Sequence, residues 1–294
     1  MVLLIIMEEL PITSDQKVAI VTGSSSGMGF ETSLILARNG FYTYATMRKL
    51  DGEGSKEIND ISKKENLPLQ VIRLDVNDDK SVHGAIEAIV KEKDRIDLVV
   101  NNAGYDLMGA LEETSLDEIK AQFETNLFGA VRVMQSVIPI MRKQKGGTIV
   151  NVTSLGGRIS FPLNSAYHAT KFALEGLSES IQYELEPFGI RIIIIEPGGV
   201  GSNFLRNLKW ASNTPDPLNS PYGSMQRSMS EFFEQWSQNL THPSEVAKAI
   251  LKAVTSESPN LRYTVGADAV ETLESRKSMS DKEFQNMIKK QINI

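Results

Sequence analysis

"KVAIVTGSSSGMG" (residues 17–29) joins a short apolar run, Val18–Val21, to a loop built from three glycines and three serines. An unbroken apolar run of this length reads as a strand buried on both faces, and the glycines permit a tight turn into a helix. At such a turn the free N–H groups and the helix dipole favour an anion. Gly23, Gly27 and Gly29 let a pyrophosphate approach the backbone, with Ser25, Ser26 and Met28 between them. A glycine loop alone is a weak signal. Its weight comes from the strand before it, the helix after it, and the pattern that follows.

That pattern alternates short apolar runs with helical windows. Strands are expected at 17–23, 41–47, 69–76, 96–102, 147–154 and 190–197, with a seventh at "RYTV" (262–265). Helices are expected at 28–39, 78–93, 115–143 and 165–186. Strand–helix alternation of this kind specifies an α/β fold, a doubly wound parallel sheet of about seven strands with helices on both faces. No linker or repeat divides the series, so residues 17–294 read as one domain, preceded by an extension at 1–16. The rhythm breaks at 198–240, a long excursion after a strand end where a substrate lid belongs. Residues 267–294 read as a peripheral helical tail.

Composition narrows the chemistry. The 294 residues are 41% hydrophobic and 23% charged, with a net charge of −6 from 31 basic and 37 acidic side chains. That balance argues against nucleic acid or an anionic membrane as partner. With no cysteine, disulfides, thiolate catalysis and Cys-ligated metals are excluded. The three histidines, His83, His168 and His242, lie far apart, so no metal site is expected. The apolar start "MVLLIIMEEL" is too short to span a bilayer, and Glu8 and Glu9 follow it at once. No membrane span is expected, and the expected location is cytoplasmic.

Five motifs in order carry a resemblance: "TGSSSGMG" (22–29), "DV" (75–76), "NNAG" (101–104), Ser154 with "YHATK" (167–171), and "PG" (197–198). The set is similar to the short-chain dehydrogenase/reductase superfamily, in its single-domain branch, over roughly residues 17–200. The resemblance implies a Rossmann-type domain that binds a nicotinamide dinucleotide. It assigns Asp75 to the adenine, Val76 to backbone contacts, and Asn102, Ala103 and Gly104 to the cofactor's path. Pro197, Gly198 and Val200 follow the sixth strand, and Ser202 stands where the family usually has a threonine holding the nicotinamide carboxamide.

The second strand ends "ATMRKL". An acid there would bind a ribose hydroxyl and repel a 2′-phosphate; Arg48 offers phosphate a planar fork instead, and Ser26 adds a hydroxyl. The plainer reading of Arg48 is a solvated loop charge. NADP(H) is expected over NAD(H).

Tyr167 and Lys171 are four residues apart and so share one helix face. A free tyrosine has a pKa of about 10, and a nearby ammonium favours its phenolate. The resemblance implies that Tyr167 is the acid/base, that Lys171 tunes it and holds the nicotinamide ribose, and that Ser154 orients the substrate oxygen. Asn126, in "FETNLFG", resembles the family's fourth catalytic residue, while His168 falls on a variable, non-catalytic position.

Within the family, "YHATKFALEGLSESIQYELEPFGI" looks like the 17β-hydroxysteroid and retinol dehydrogenase branch, which implies a lipophilic alcohol or ketone. Leu155, Phe161, Tyr105, Gly199, Phe204 and Trp210 are the expected apolar surface near the catalytic oxygen. Met225, Met229, Phe232 and Phe233 are expected to pack the lid. No charged residue is evidently placed to bind a carboxylate, phosphate or coenzyme A, so a neutral, fairly hydrophobic small-molecule carbonyl or alcohol is expected. Two alternatives stand beside this reading: an acyl-carrier ketoreductase, and a non-catalytic NADP(H)-binding redox sensor or scaffold. Apolar residues on several faces of 115–143 and 165–186 point to a homodimer or homotetramer.

Overall fold

Alternate residues of each central strand point to opposite faces, and here both faces are apolar. The computed structural model describes residues 16–201 and 208–294; the expected extension, Ser202 and Phe204 lie outside the described residues, apart from Gln16. The chain runs β1 (Val18–Thr22), α1 (Gly27–Arg38), β2 (Tyr42–Met47), α2 (Glu53–Glu65), β3 (Leu69–Arg73), α3 (Asp79–Lys93) and β4 (Leu98–Asn101). It continues through β5 (Leu107–Met108), α4 (Leu116–Phe123), α5 (Gly129–Gln144), β6 (Gly147–Val152), α6 (Ser165–Leu185) and β7 (Ile190–Pro197). After β8 (Lys209–Trp210) come α7 (Gly223–Trp236), α8 (Pro243–Thr255), β9 (Arg262–Val265), α9 (Ala267–Ser278) and α10 (Asp281–Gln291).

Seven strands form one parallel sheet in the order β3-β2-β1-β4-β6-β7-β9. Ile20, Val99, Ile149 and Ile192 pack on one face against Val133, Val137 and Met141 of α5 and Leu174 of α6. Val21, Val100, Val150 and Ile193 pack on the other against Leu36 of α1 and Val246 and Ile250 of α8. Burial on both faces explains why these strands show no polar alternation. The strand order reverses between β1 and β4, which opens a crevice at their C-terminal ends.

Three expectations are adjusted. The strand expected at 69–76 ends at Arg73, leaving Asp75 and Val76 in the turn before α3. The helix expected at 115–143 is interrupted by a π-helical turn, Glu124–Phe128, between α4 and α5. The tail is helical but not peripheral: Ala269, Leu273, Phe284 and Ile288 are buried in a third cluster with Met108, Leu155, Ile159, Leu163 and Met229. The inner faces of the two tail helices, carrying these residues, pack onto the segment after β6 and onto α7.

Candidate active site

The glycine loop is closed against the turn that follows β4. Gly23 has φ +69°, and a Cβ there would lie 2.9 Å from Ala103 Cα; one on Gly29 would lie 2.5 Å from Asn102 Nδ2. Thr22 Oγ1 accepts from the Asn102 and Ala103 amides at 3.0 and 3.1 Å and donates to the Val100 carbonyl. Asn102 Nδ2 donates to the Thr22 carbonyl at 2.9 Å, so two cofactor motifs are stitched into one surface. Ser26 begins α1 without capping it by its side chain, and the first turn holds no acid. The helix therefore presents its N-terminal amides and dipole to an incoming anion, which fits a dinucleotide's pyrophosphate.

Around this loop the other expected cofactor residues occupy the same sheet edge. Ser25 packs on the start of α2, where a Cβ on Gly54 would overlap the Ser25 carbonyl. Arg48 is exposed directly after β2, and its charge acts on the Tyr105 phenol. Asp75 Oδ1 accepts the Asn77 amide at 3.1 Å, and the Val76 carbonyl is held by the Arg132 guanidinium. Beyond β7, the Gly198 amide bonds the Val265 carbonyl at 2.9 Å and Val200 bridges to Thr241.

The second half of the site is carried by α6. Tyr167 and Lys171 are both buried, one turn apart, with Lys171 Nζ 5.8 Å from the centre of the Tyr167 ring. Lys171 Nζ donates to the Val152 carbonyl at 2.9 Å. Ser154, just beyond β6, hydrogen-bonds Tyr167, and its Oγ also accepts the Gly156 amide at 3.0 Å. Asn126 sits in the π-helical turn, where the extra residue turns it inward. Its Oδ1 accepts the Tyr105 amide at 3.0 Å, and its Nδ2 donates to the Tyr105 carbonyl at 2.9 Å and to Thr170 Oγ1 at 3.2 Å.

Electrostatics corrects one expectation. Burial pulls Lys171 down to about 8, against the opposing pull of Asp106 and Glu175. Burial pushes the Tyr167 phenol well above its ordinary value; the Asp106 carboxylate adds to this and the Ser154 hydrogen bond opposes it. Desolvation favours the neutral form of both groups. In the protein alone Tyr167 is thus a protonated phenol, not a phenolate held by its lysine.

One cleft connects the two halves, lined by Met28, Asn102 and Gly104 as well as by Ser154, Tyr167 and Lys171. Pro197, Gly198 and Val200 form a side wall, and Leu155, Phe161, Gly199, Phe233 and Trp236 line the apolar end. Phe233, expected to be packing, lines the cleft. Tyr105 and Trp210 are not among its lining residues. Trp210 is exposed on a two-residue ribbon that pairs β8 with β5, and Tyr105 lies under Lys209 Nζ at 4.9 Å.

The short chain dehydrogenase family model matches residues 17–213. The chain belongs to this family. It is 34% identical over 251 residues to the 3-ketodihydrosphingosine reductase of Bacteroides thetaiotaomicron, covering 85% of this chain and 88% of that protein. It is 34% identical over 263 residues to human 17-beta-hydroxysteroid dehydrogenase type 1, covering 84% and 76%. The crystal structure of a Streptomyces avermitilis short-chain dehydrogenase is similar at a TM-score of 0.76 and 33% identity, covering 90% and 94%. The protein is therefore an oxidoreductase of this family. No helix among its described residues is long and apolar enough to cross a membrane.

Several features of this short chain dehydrogenase were beyond motif reading. Asp106 is 7% exposed and lines the cleft, a charged group that no motif pointed to. Burial pushes its carboxyl up to about 6, while Asn164, the Leu107 amide and Lys171 pull it back. Asn164 begins α6 without capping it; its Nδ2 donates to Asp106 Oδ1 at 2.7 Å instead. His168 is structural: its Nε2 accepts the Phe161 amide and its Nδ1 meets the Gly156 carbonyl, each at 2.8 Å. Burial lowers its pKa, so the neutral ring pins the loop carrying Ser154. Asp268 Oδ2 accepts from the Gly199 amide at 2.7 Å and Trp236 Nε1 at 3.1 Å, joining α7 to the side wall.

Proposed function

We propose that this protein is an NADP(H)-dependent oxidoreductase that interconverts a ketone or aldehyde and an alcohol on a lipophilic small molecule, with Tyr167 as acid/base. The supporting observation is the single cleft that runs from the glycine loop, past Ser154, Tyr167 and Lys171, to an apolar end. When bound, the nicotinamide supplies or takes up hydride. Gly23, Ser25, Ser26, Gly27, Met28 and Gly29 would hold its pyrophosphate, Asp75 and Val76 its adenine, and Asn102, Ala103 and Gly104 its extended middle. Pro197, Gly198, Val200 and Ser202 would face the nicotinamide. The exposed guanidinium of Arg48 after β2, where an acid would select NAD, supports NADP(H).

The residues of the chain divide the remaining work. Ser154 orients the substrate oxygen toward Tyr167, with which it already shares a hydrogen bond. Tyr167, protonated in the apolar surroundings, donates its proton to that oxygen in reduction and recovers it in oxidation. Lys171, with a pKa near neutrality, replenishes the proton and binds the nicotinamide ribose. Asn126, bonded to Tyr105 and Thr170, sets the wall beside Lys171. α7, latched through Trp236 and Asp268, serves as the lid over an apolar substrate. Phe128 and Phe172, exposed at 48% and 47% on the helical surface, support assembly as a homodimer or homotetramer.

Stopped-flow oxidation of NADPH with a panel of lipophilic ketones tests the reading. Turnover of at least one ketone is expected. Tight NADPH binding without turnover of any carbonyl would replace the enzyme with a redox sensor.

A further inference from the structure

Asp106 is the only acid among the described residues lining the cleft, which Leu155, Phe161, Phe233 and Trp236 also line. A charge buried among such residues is unfavourable unless hydrogen bonds satisfy it. Within the chain, Asp106 accepts from Asn164 Nδ2 at 2.7 Å and from the Leu107 amide. An ionised carboxylate has about four acceptor positions, so it can take further donors. Asp106 lines the same cleft as Tyr167 and Lys171, and its charge acts on both.

A structural role does not account for the charge. The bond between Asp106 and Asn164 ties the β5 segment to the start of α6, and the Gly109 amide reinforces the same junction through the Leu163 carbonyl at 2.7 Å. An asparagine at 106 would accept the same Asn164 hydrogen bond through its amide oxygen. It would do so without burying a carboxylate. The junction therefore needs an acceptor but no negative charge; within the chain the charge acts on Lys171, and the remaining acceptor positions of the carboxylate suit a donor that enters the cleft.

We propose that Asp106, oriented by Asn164, is a specificity determinant of this cleft, accepting a hydrogen bond from a hydroxyl or ammonium group carried within a few bonds of the substrate's reacting carbonyl. The inference rests on the reading of Tyr167 as proton donor to that carbonyl. It deepens the substrate class from lipophilic ketone to lipophilic α-hydroxy or α-amino ketone, and in the reverse direction to the matching diol or amino alcohol.

The test uses the full chain, NADPH and three ketones of one chain length: the plain 2-alkanone, its α-hydroxy ketone and its α-amino ketone. kcat/KM is measured for the wild type, D106N and D106L, with Tm recorded for each. The wild type is expected to favour a donor-bearing ketone by about 10- to 100-fold, the span of a charge-assisted hydrogen bond. D106N, which keeps the Asn164 bond and removes the buried charge, is expected to hold or raise Tm while that preference falls to about threefold or less. A preference for the amino ketone identifies an ammonium donor, and one for the hydroxy ketone a hydroxyl. Equal turnover of all three ketones by the wild type, or an unchanged preference in D106N, overturns the proposal. If the wild type reduces none of them, the reaction assignment fails instead. The same ketones are then compared by thermal shift on wild type and D106N. A donor-dependent stabilisation lost in D106N upholds the recognition role, and its absence overturns it.

Discussion

Tyr167 and Asp106 face one cleft with opposite consequences for proton chemistry. Burial pushes the phenol's pKa up, which suits the proton donor proposed for it. Removing only its hydroxyl, in Tyr167→Phe, is expected to lower kcat by about 10²- to 10⁴-fold, the usual weight of a positioned general acid. NADPH binding measured by fluorescence should stay within about twofold, because Tyr167, itself expected among the cofactor-binding residues, keeps its ring and the glycine loop, Arg48 and Lys171 would supply most of the contacts; parallel loss of binding would make cofactor binding its main role. Asp106 also predicts a pH effect on stability. Burial pushes its carboxyl up to about 6 in the folded chain from the 3.8 of a free aspartate, so the fold favours the protonated form. The native state then binds more protons than the unfolded chain between these values, and stability falls as pH rises through that window. The unfolding free energy of wild type minus that of D106N is expected to drop by up to about 3 kcal/mol between about pH 4 and 6. Urea melts across that range check it, and parallel curves would refute it. Tyr167 and Lys171 were legible beforehand because a helix converts four residues of spacing into one face. Asp106 was not, because nothing local distinguishes a buried acid in "GYDLMG" from a solvated one.

β7 ends beside the side wall of the cleft, and a buried charge network fixes that end. Arg262 of β9 bonds Glu175 of α6 at 3.0 Å and Glu179 at 2.6 Å, and lies 3.3 Å from Glu196 of β7. Glu196 also takes Arg158 at 2.8 Å and Thr264 at 2.9 Å. Glu175 and Glu196 are 4% and 1% exposed, so neither can turn to water if its cation is removed. Arg262→Met is expected to destabilise the protein by about 3–5 kcal/mol, measured by chemical denaturation. A loss under about 1 kcal/mol would mean that Arg158 suffices. At the end of β2, Arg48→Asp is expected to move the NADPH:NADH ratio of kcat/KM toward NADH by about tenfold or more, the effect of losing a charge-assisted phosphate contact. An unchanged ratio would remove Arg48 from the cofactor site. Strand positions were readable to within a few residues, since both-face burial writes apolar runs into the sequence. The π-helical turn that aims Asn126 was not, because one inserted residue leaves the helical pattern on either side intact.

Across the molecule, three buried clusters have different origins. Two sandwich the sheet and follow from strand and helix periodicity. The third gathers β5, the loop after β6, α7, α9 and α10, segments separated by up to about two thirds of the domain's length, and roofs the apolar end of the cleft. Opposite this roof, the helical surface exposes Phe128, Phe172 and Tyr183, the last at 75%. Apolar groups left this open are the expected seam between copies of the chain. Light scattering after size exclusion is expected to give a dimer or tetramer, and Phe172→Arg to shift it toward smaller species; a monomeric wild type would refute the assembly.

The amino-acid order alone specified the parallel sheet, the anion-binding turn and the Tyr167–Lys171 face, because each depends on spacing within one strand, turn or helix. The Asp106–Asn164 pair, the Asp268 latch on Trp236 and the cage around Glu196 came into view with the folded chain. Their partners lie 58, 32 and up to 68 residues apart, and their properties come from burial shared between distant segments. The same division runs through the opening stretch, where 17–29 predicts a phosphate-sized turn, while its closure onto Asn102 and Ala103 is set by Thr22 reaching across to β4.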